Sequence, residues 1–144
     1  MNISNHELLV KAEIVKQLKL QGISKVELGE RIGYKSSAIY DYMSRHKSNT
    51  MITRKVCHIL GIDYDNVPER PVHCCGDKEL RVEVYKWLWY NGISQHGIAE
   101  KYGINPRNIR TYMQGITNTP YIADILKAEL HIPYTPDLKK NNKK

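Results

Sequence analysis

The chain contains two copies of one pattern. Shifted against itself by 70 places without a gap, Glu13 to Tyr64 aligns with Glu83 to Tyr134, and 15 of 52 pairs are identical; unrelated segments of average composition would share roughly 3. The identities include Leu18/Leu88, Gly-Ile-Ser at 22–24 and 92–94, Glu30/Glu100, Gly33/Gly103, Ile39/Ile109, Tyr42/Tyr112, Met43/Met113, Leu60/Leu130 and Ile62/Ile132. Two copies of one unit is the economical explanation.

Each copy reads as four helices. In the first, Leu8, Ala12, Val15 and Leu18 recur at helical spacing until Gly22, and Ser24 is placed to cap the next helix, whose Leu28 and Ile32 share a face that ends at Gly33. A third helix runs from about Ser36 with Ile39, Tyr42 and Met43 inward. A fourth carries Ile52, Val56, Ile59 and Leu60. The second copy repeats the scheme with Val84, Leu88, Ile98, Tyr102, Ile109, Tyr112, Met113, Ile122, Leu126 and Leu130. The expected architecture is all-α, with domains at 1–64 and 78–134. Asp65 to Asp77 holds Pro68, Pro71 and Gly76 without a helical stripe and reads as a linker, and 135–144 reads as a disordered basic tail. Thirteen extended residues span at most about 43 Å.

Within each copy the spacing of small, glycine and aliphatic positions is that of a helix-turn-helix. It is clearest in the second, at Gln95, Ala99, Gly103, Ile104, Ile109 and Tyr112. Ala99 must be small because the following helix crosses over it, Gly103 suits a positive-φ turn, and Ile98, Tyr102, Ile104 and Ile109 are expected to fill the wedge between the helices. Lys25, Gly29, Gly33, Tyr34, Ile39 and Tyr42 hold the matching places in the first copy. Over these two windows the chain resembles the lambda-repressor-like, Cro/C1-type DNA-binding domains, with two departures: four helices per copy where five are usual, and Gly29 where alanine is usual. The resemblance implies two tandem helix-turn-helix domains whose third helices enter the major groove.

Docked in that way, the outward N-terminal positions of the third helices would face base edges and their flanks would face phosphates. In the second copy these positions are Asn105, Arg107, Asn108, Arg110, Thr111 and Gln114, with Pro106 at the first helical position behind an Asn105 cap. The first copy offers Lys35, Ser36, Ser37, Tyr40 and Ser44, together with an unfavourable Asp41. Ser24, Lys25, Arg45, Lys47, Arg54, Lys55, Ser94 and Gln95 are the candidates for phosphate contact; Ser24 and Ser94 also read as plain N-caps. The cores agree and the outward residues differ, so the expected operator is asymmetric.

Trp87 and Trp89 replace Gln17 and Lys19 of the first copy. With Val82 and Tyr85 they make that helix apolar nearly all round, which suggests an interface between the halves or between two chains.

Net charge is +7, with 11 basic residues in each half against 8 and 7 acids; Lys139, Lys140, Lys143 and Lys144 leave the second globular half close to neutral. Charge alone thus argues weakly for nucleic acid. Cys57, Cys74 and Cys75 are odd in number and read as reduced thiols, and with His58 and His73 they match no structural zinc spacing. No phosphate loop, nucleophile elbow, HExxH or paired-carboxylate pattern appears, so neither an enzyme, a cofactor nor a small-molecule ligand is expected. The absence of a long apolar run and of a leader pattern in residues 1–20 leads to the expectation of a cytoplasmic protein associated with the nucleoid of a bacterial host, with no membrane partner. The expected role is a DNA-binding transcriptional regulator, a repressor of phage or mobile-element type. Two alternatives stay open: a helix-turn-helix scaffold that inhibits a host nucleic-acid enzyme by binding it, and an architectural or excision factor.

Overall fold

In the computed structural model, which describes residues 3–135, the apolar stripes form eight helices and the fold is all-α. The first copy contributes α1 (Asn5–Gln21), α2 (Lys25–Ile32), α3 (Ser36–Tyr42) and α4 (Thr50–Leu60), and the second α5 (Gly76–Asn91), α6 (Gln95–Tyr102), α7 (Pro106–Met113) and α8 (Pro120–Leu130). Two compact units divide between Glu69 and Arg70.

The helix boundaries follow local chemistry. Ser4, Ser24, Asn49, Ser94 and Asn105 each accept a backbone N–H of the first turn through the side chain, which satisfies a donor that the helix cannot. At the paired end of α4 and α8 the first copy has Gly61 in the left-handed region, while the second places His131 there at φ 56°. An L side chain is disfavoured at that backbone angle.

In the first unit α1 packs on α4 and α2 on both α3 and α4. Leu9, Val10, Ala12, Ile14, Leu28, Ile39, Val56 and Leu60 are buried between them. In the second, α5 packs on α8 and α6 on α7, over Leu80, Val84, Ile98, Ala99, Ile109, Tyr112, Ile122 and Leu126. A two-residue strand β1 (Cys74–Cys75) pairs in parallel with β2 (Tyr134–Thr135) and ties the two ends of this unit together.

The segment 65–77 differs from the expected free linker. Val67 is buried, the Val72 N–H donates to the Glu83 carboxylate at 3.0 Å, and Cys74 and Cys75 form β1. Residues 65–69 belong to the first unit and 70–77 to the second, because backbone groups near a folded core are drawn into its hydrogen bonds. Thr135, expected in a basic tail, lies in β2; the rest of that tail lies outside the described residues. Two expected core side chains are exposed, Ile59 at 37% and Tyr102 at 39%. No helix among the described residues is long and apolar enough to cross a membrane.

Candidate nucleic-acid interface

In both units two short helices are joined by a three-residue turn, 33–35 in the first and 103–105 in the second. Gly33 and Gly103 open these turns at φ 79° and 65°, an angle that a glycine adopts without steric cost. At the crossing point the two copies differ. Ala99 is fully buried, whereas a Cβ added at Gly29 would stand 2.6 Å from the Tyr34 carbonyl oxygen and 3.2 Å from the Ile39 side chain. The first copy therefore requires glycine where the second accommodates a methyl group.

Helix α7 buries Ile109, Tyr112 and Met113 and leaves Arg107, Asn108 and Arg110 exposed, with Asn105 and Gln114 exposed as its two cap residues. Its own residues include no acid. Asn105 Oδ1 accepts the Arg107 N–H at 2.9 Å and Pro106 occupies the first turn, so the helix starts where the sequence places it. Thr111 is half-buried and donates its hydroxyl to the Asn108 carbonyl at 3.2 Å, which leaves it less suited to a base than its neighbours.

Helix α3 buries Ile39 and Tyr42 and exposes Ser36, Ser37 and Tyr40, with Lys35 exposed as its cap residue. Lys25, at the start of α2, holds its ammonium 4.9 Å from the Tyr40 ring centre, so a candidate phosphate contact and a candidate base contact share one face. Asp41 lies 3.9 Å from Lys47. Ser44 departs from expectation: it lies beyond the end of α3, and its hydroxyl accepts the His46 N–H. Ser24 and Ser94 serve as N-caps, accepting the N–H of Glu27 and Gly97, and Gln95 begins α6. Arg45 is half-buried in the α3–α4 connection. Arg54 and Lys55 lie on α4, each cation over a tyrosine ring, Tyr64 at 4.4 Å and Tyr34 at 5.2 Å.

The expected tryptophan interface is altered. Val82 and Trp87 are buried, Trp87 at 4%, with its Nε1–H donating to the Glu83 carboxylate at 2.6 Å. A residue already covered within its own chain has no apolar surface to offer a second one. Tyr85 and Trp89 remain half-exposed.

Behind both candidate recognition helices stands a polar clamp that the apolar pattern does not reveal. The Lys11 ammonium, on a fully buried residue, donates to the carbonyls of Tyr42, Ser44 and Lys47 at 2.5, 3.1 and 2.5 Å. Tyr42 is the last residue of α3, and Ser44 and Lys47 follow it in the connection to α4, so the clamp joins the helix end to the chain that leaves it. Burial pulls the Lys11 pKa down to about 8, opposed by Glu7 and Asp41. Arg81 repeats the arrangement, donating Nε–H to the Tyr112 carbonyl at 2.5 Å and Nη2–H to the Thr117 carbonyl at 2.8 Å and to Asn118 Oδ1. Each clamp is joined by an acid from the first turn of the same helix. Glu7 accepts from the Ser48 hydroxyl, the Asn49 N–H and the Thr53 hydroxyl, and Asp77 accepts from the Tyr112 and Tyr134 hydroxyls at 2.5 and 3.2 Å. Burial also raises the Tyr112 phenol far above its ordinary range, with the Asp77 hydrogen bond adding to it, so Tyr112 stays a donor. Glu7/Asp77 and Lys11/Arg81 stand at the same offset of 70, just upstream of the identical pairs; conservative pairs at that offset were the signal for these residues.

Comparisons of the chain with protein-family models, with curated proteins and with solved structures return no match.

Proposed function

We propose that this protein is a sequence-specific double-stranded DNA-binding transcriptional regulator with two non-identical reading heads. The observation that carries the proposal is helix α7, whose exposed side and caps carry Asn105, Arg107, Asn108, Arg110 and Gln114 and no acid, while Arg81 holds the carbonyls at and beyond its end. Arginine bridges guanine O6 and N7, and asparagine or glutamine bridges adenine N6 and N7, each good pair contributing about 1 to 3 kcal/mol of discrimination. Such readers are effective only on a rigid support, which the clamp and the buried Ile109, Tyr112 and Met113 supply.

The first unit reads with a different set, Lys35, Ser36, Ser37 and Tyr40, flanked by Lys25, Arg45 and Lys47 for phosphates. Asp41 beside Lys47 weakens the attraction of this surface for DNA. An asymmetric operator follows, and repression by occluding a promoter is the mechanism that asks least of a chain this size. The resemblance to Cro/C1-type domains supports a phage or mobile-element repressor acting on the nucleoid in a bacterial cytoplasm.

Selection of bound duplexes from a random pool at physiological salt tests the reading. The expected product is one asymmetric site bound at least about 10³-fold more tightly than scrambled DNA. A symmetric site built from one half-site twice would overturn the asymmetry. Tight, steeply salt-dependent binding without enrichment would turn the reading toward an architectural factor, and no binding toward a protein-directed scaffold.

A further inference from the structure

The first unit carries a cleft of about 390 Å³ between α2 and α4, lined by Arg31, Ile32, Arg54, Lys55, His58 and Ile59. No α3 residue borders it. The repeat shows how the second unit treats the same place. Lys101 and Tyr102 correspond to Arg31 and Ile32, and Glu129 corresponds to Ile59. There the Glu129 carboxylate receives the Lys101 ammonium at 3.0 Å on both oxygens and the Tyr102 hydroxyl at 2.9 Å. The second unit thus satisfies this position with its own acid, and Asp124 and Ala128 replace Arg54 and His58.

The first unit keeps the cation, adds Arg54, Lys55 and His58, and has an isoleucine where the acid stood. Arg31 meets Glu27 through one nitrogen at 2.7 Å and has further donors to offer. Arg54 and Lys55 are held over tyrosine rings and, like His58, form no ion pair among the described residues. Between these cations Ile32 is half-exposed and Ile59 37% exposed. A phosphate backbone would meet the cations but leave this aliphatic floor uncovered; a segment that alternates carboxylates with aliphatic side chains covers both.

We propose that the α2–α4 cleft of the first unit binds an acidic, leucine-rich segment of a partner protein, with a partner carboxylate taking at Arg31 the place that Glu129 takes at Lys101. This gives the regulator a protein-binding face apart from α3 and reassigns Arg54 and Lys55 from phosphate contact to partner recognition.

The test titrates the isotope-labelled full chain with a synthetic peptide containing Glu-Leu-Asp-Asp-Leu-Leu, read by amide chemical shifts. Saturable shifts centred on Ile32 and Ile59 are expected, with binding at least about tenfold weaker in R54E/K55E and in I59E. I59E supplies an internal acid like that of the second unit, so it is expected to block the peptide while remaining folded. R107A/R110A is expected to leave peptide binding unchanged, so failure of the DNA reading and of this one are separable. The proposal is overturned if the peptide causes no shifts at the cleft, if I59E binds it as well as the parent chain, or if R54E/K55E weakens duplex binding while peptide binding stays intact.

Discussion

Lys11 and Arg81, the same position in the two copies, each donate to three oxygens at and beyond the end of a candidate recognition helix, Lys11 to the carbonyls of Tyr42, Ser44 and Lys47 and Arg81 to those of Tyr112 and Thr117 and to Asn118 Oδ1. The orientation of each helix is thereby set from its C-terminal end by a long cation on the first helix of its unit.

Replacing either cation by methionine keeps the aliphatic stem and removes the donors. K11M and R81M are each expected to cost about 3 kcal/mol, because the partner carbonyls lose a charged donor where water reaches them poorly. The urea midpoint measures this. R81M is further expected to weaken duplex binding although Arg81 is not itself a proposed DNA contact.

The two crossing points respond in opposite ways to a methyl group. G29A gains helix propensity worth roughly 1 kcal/mol, yet its Cβ would stand 2.6 Å from the Tyr34 carbonyl. A net loss of about 2 kcal/mol is expected. A99G is expected to cost about 1 kcal/mol through propensity and lost packing. Thermal unfolding of both variants checks the pair.

Within α7, R107A/R110A is expected to reduce affinity for the selected duplex by about 100-fold, as two guanine-directed contacts are lost. T111A is expected to stay within about 0.5 kcal/mol of the parent chain, since the Thr111 hydroxyl already donates to Asn108. Fluorescence anisotropy on one duplex separates the two outcomes.

Acid acts on the second unit through Glu129. Its carboxyl titrates below the ordinary value of 4.5, first because Lys101 donates to it and next because Tyr102 does. A carboxyl whose folded value lies below its unfolded value contributes its full stabilisation above the unfolded value and loses it as pH falls through the folded one. The parent chain is therefore expected to lose more thermal stability than E129Q as pH falls below 4.5, and the two curves are expected to run parallel well above it.

Much of the helical scaffold is legible in the order of residues. Leu28, Ile39, Val56 and their partners seventy positions on mark the buried faces, and Ser24, Ser94 and Asn105 mark helix starts, because periodicity and capping are local properties. The exposed residues of α7 follow from the same periodicity. Tyr102 and Ile59 are exposed because both sit at the edge of a stripe, where helical spacing alone does not separate core from rim. Trp87 is buried and donates to the Glu83 carboxylate one turn away, so its surface is closed to a second chain, which the apolar pattern of its helix does not reveal.

By itself the sequence determined that one helical unit occurs twice, where its helices start and stop, and that the outward residues of the two third helices differ. Only the tertiary structure decided which charges are solvated and which are structural. Lys11 reaches carbonyls 31 to 36 positions away and Glu7 reaches partners 41 to 46 positions away, and no spacing rule spans such distances. Whether a charge stays in water or holds a helix in place depends on what the fold brings to it, since burial is tolerated only where partners converge.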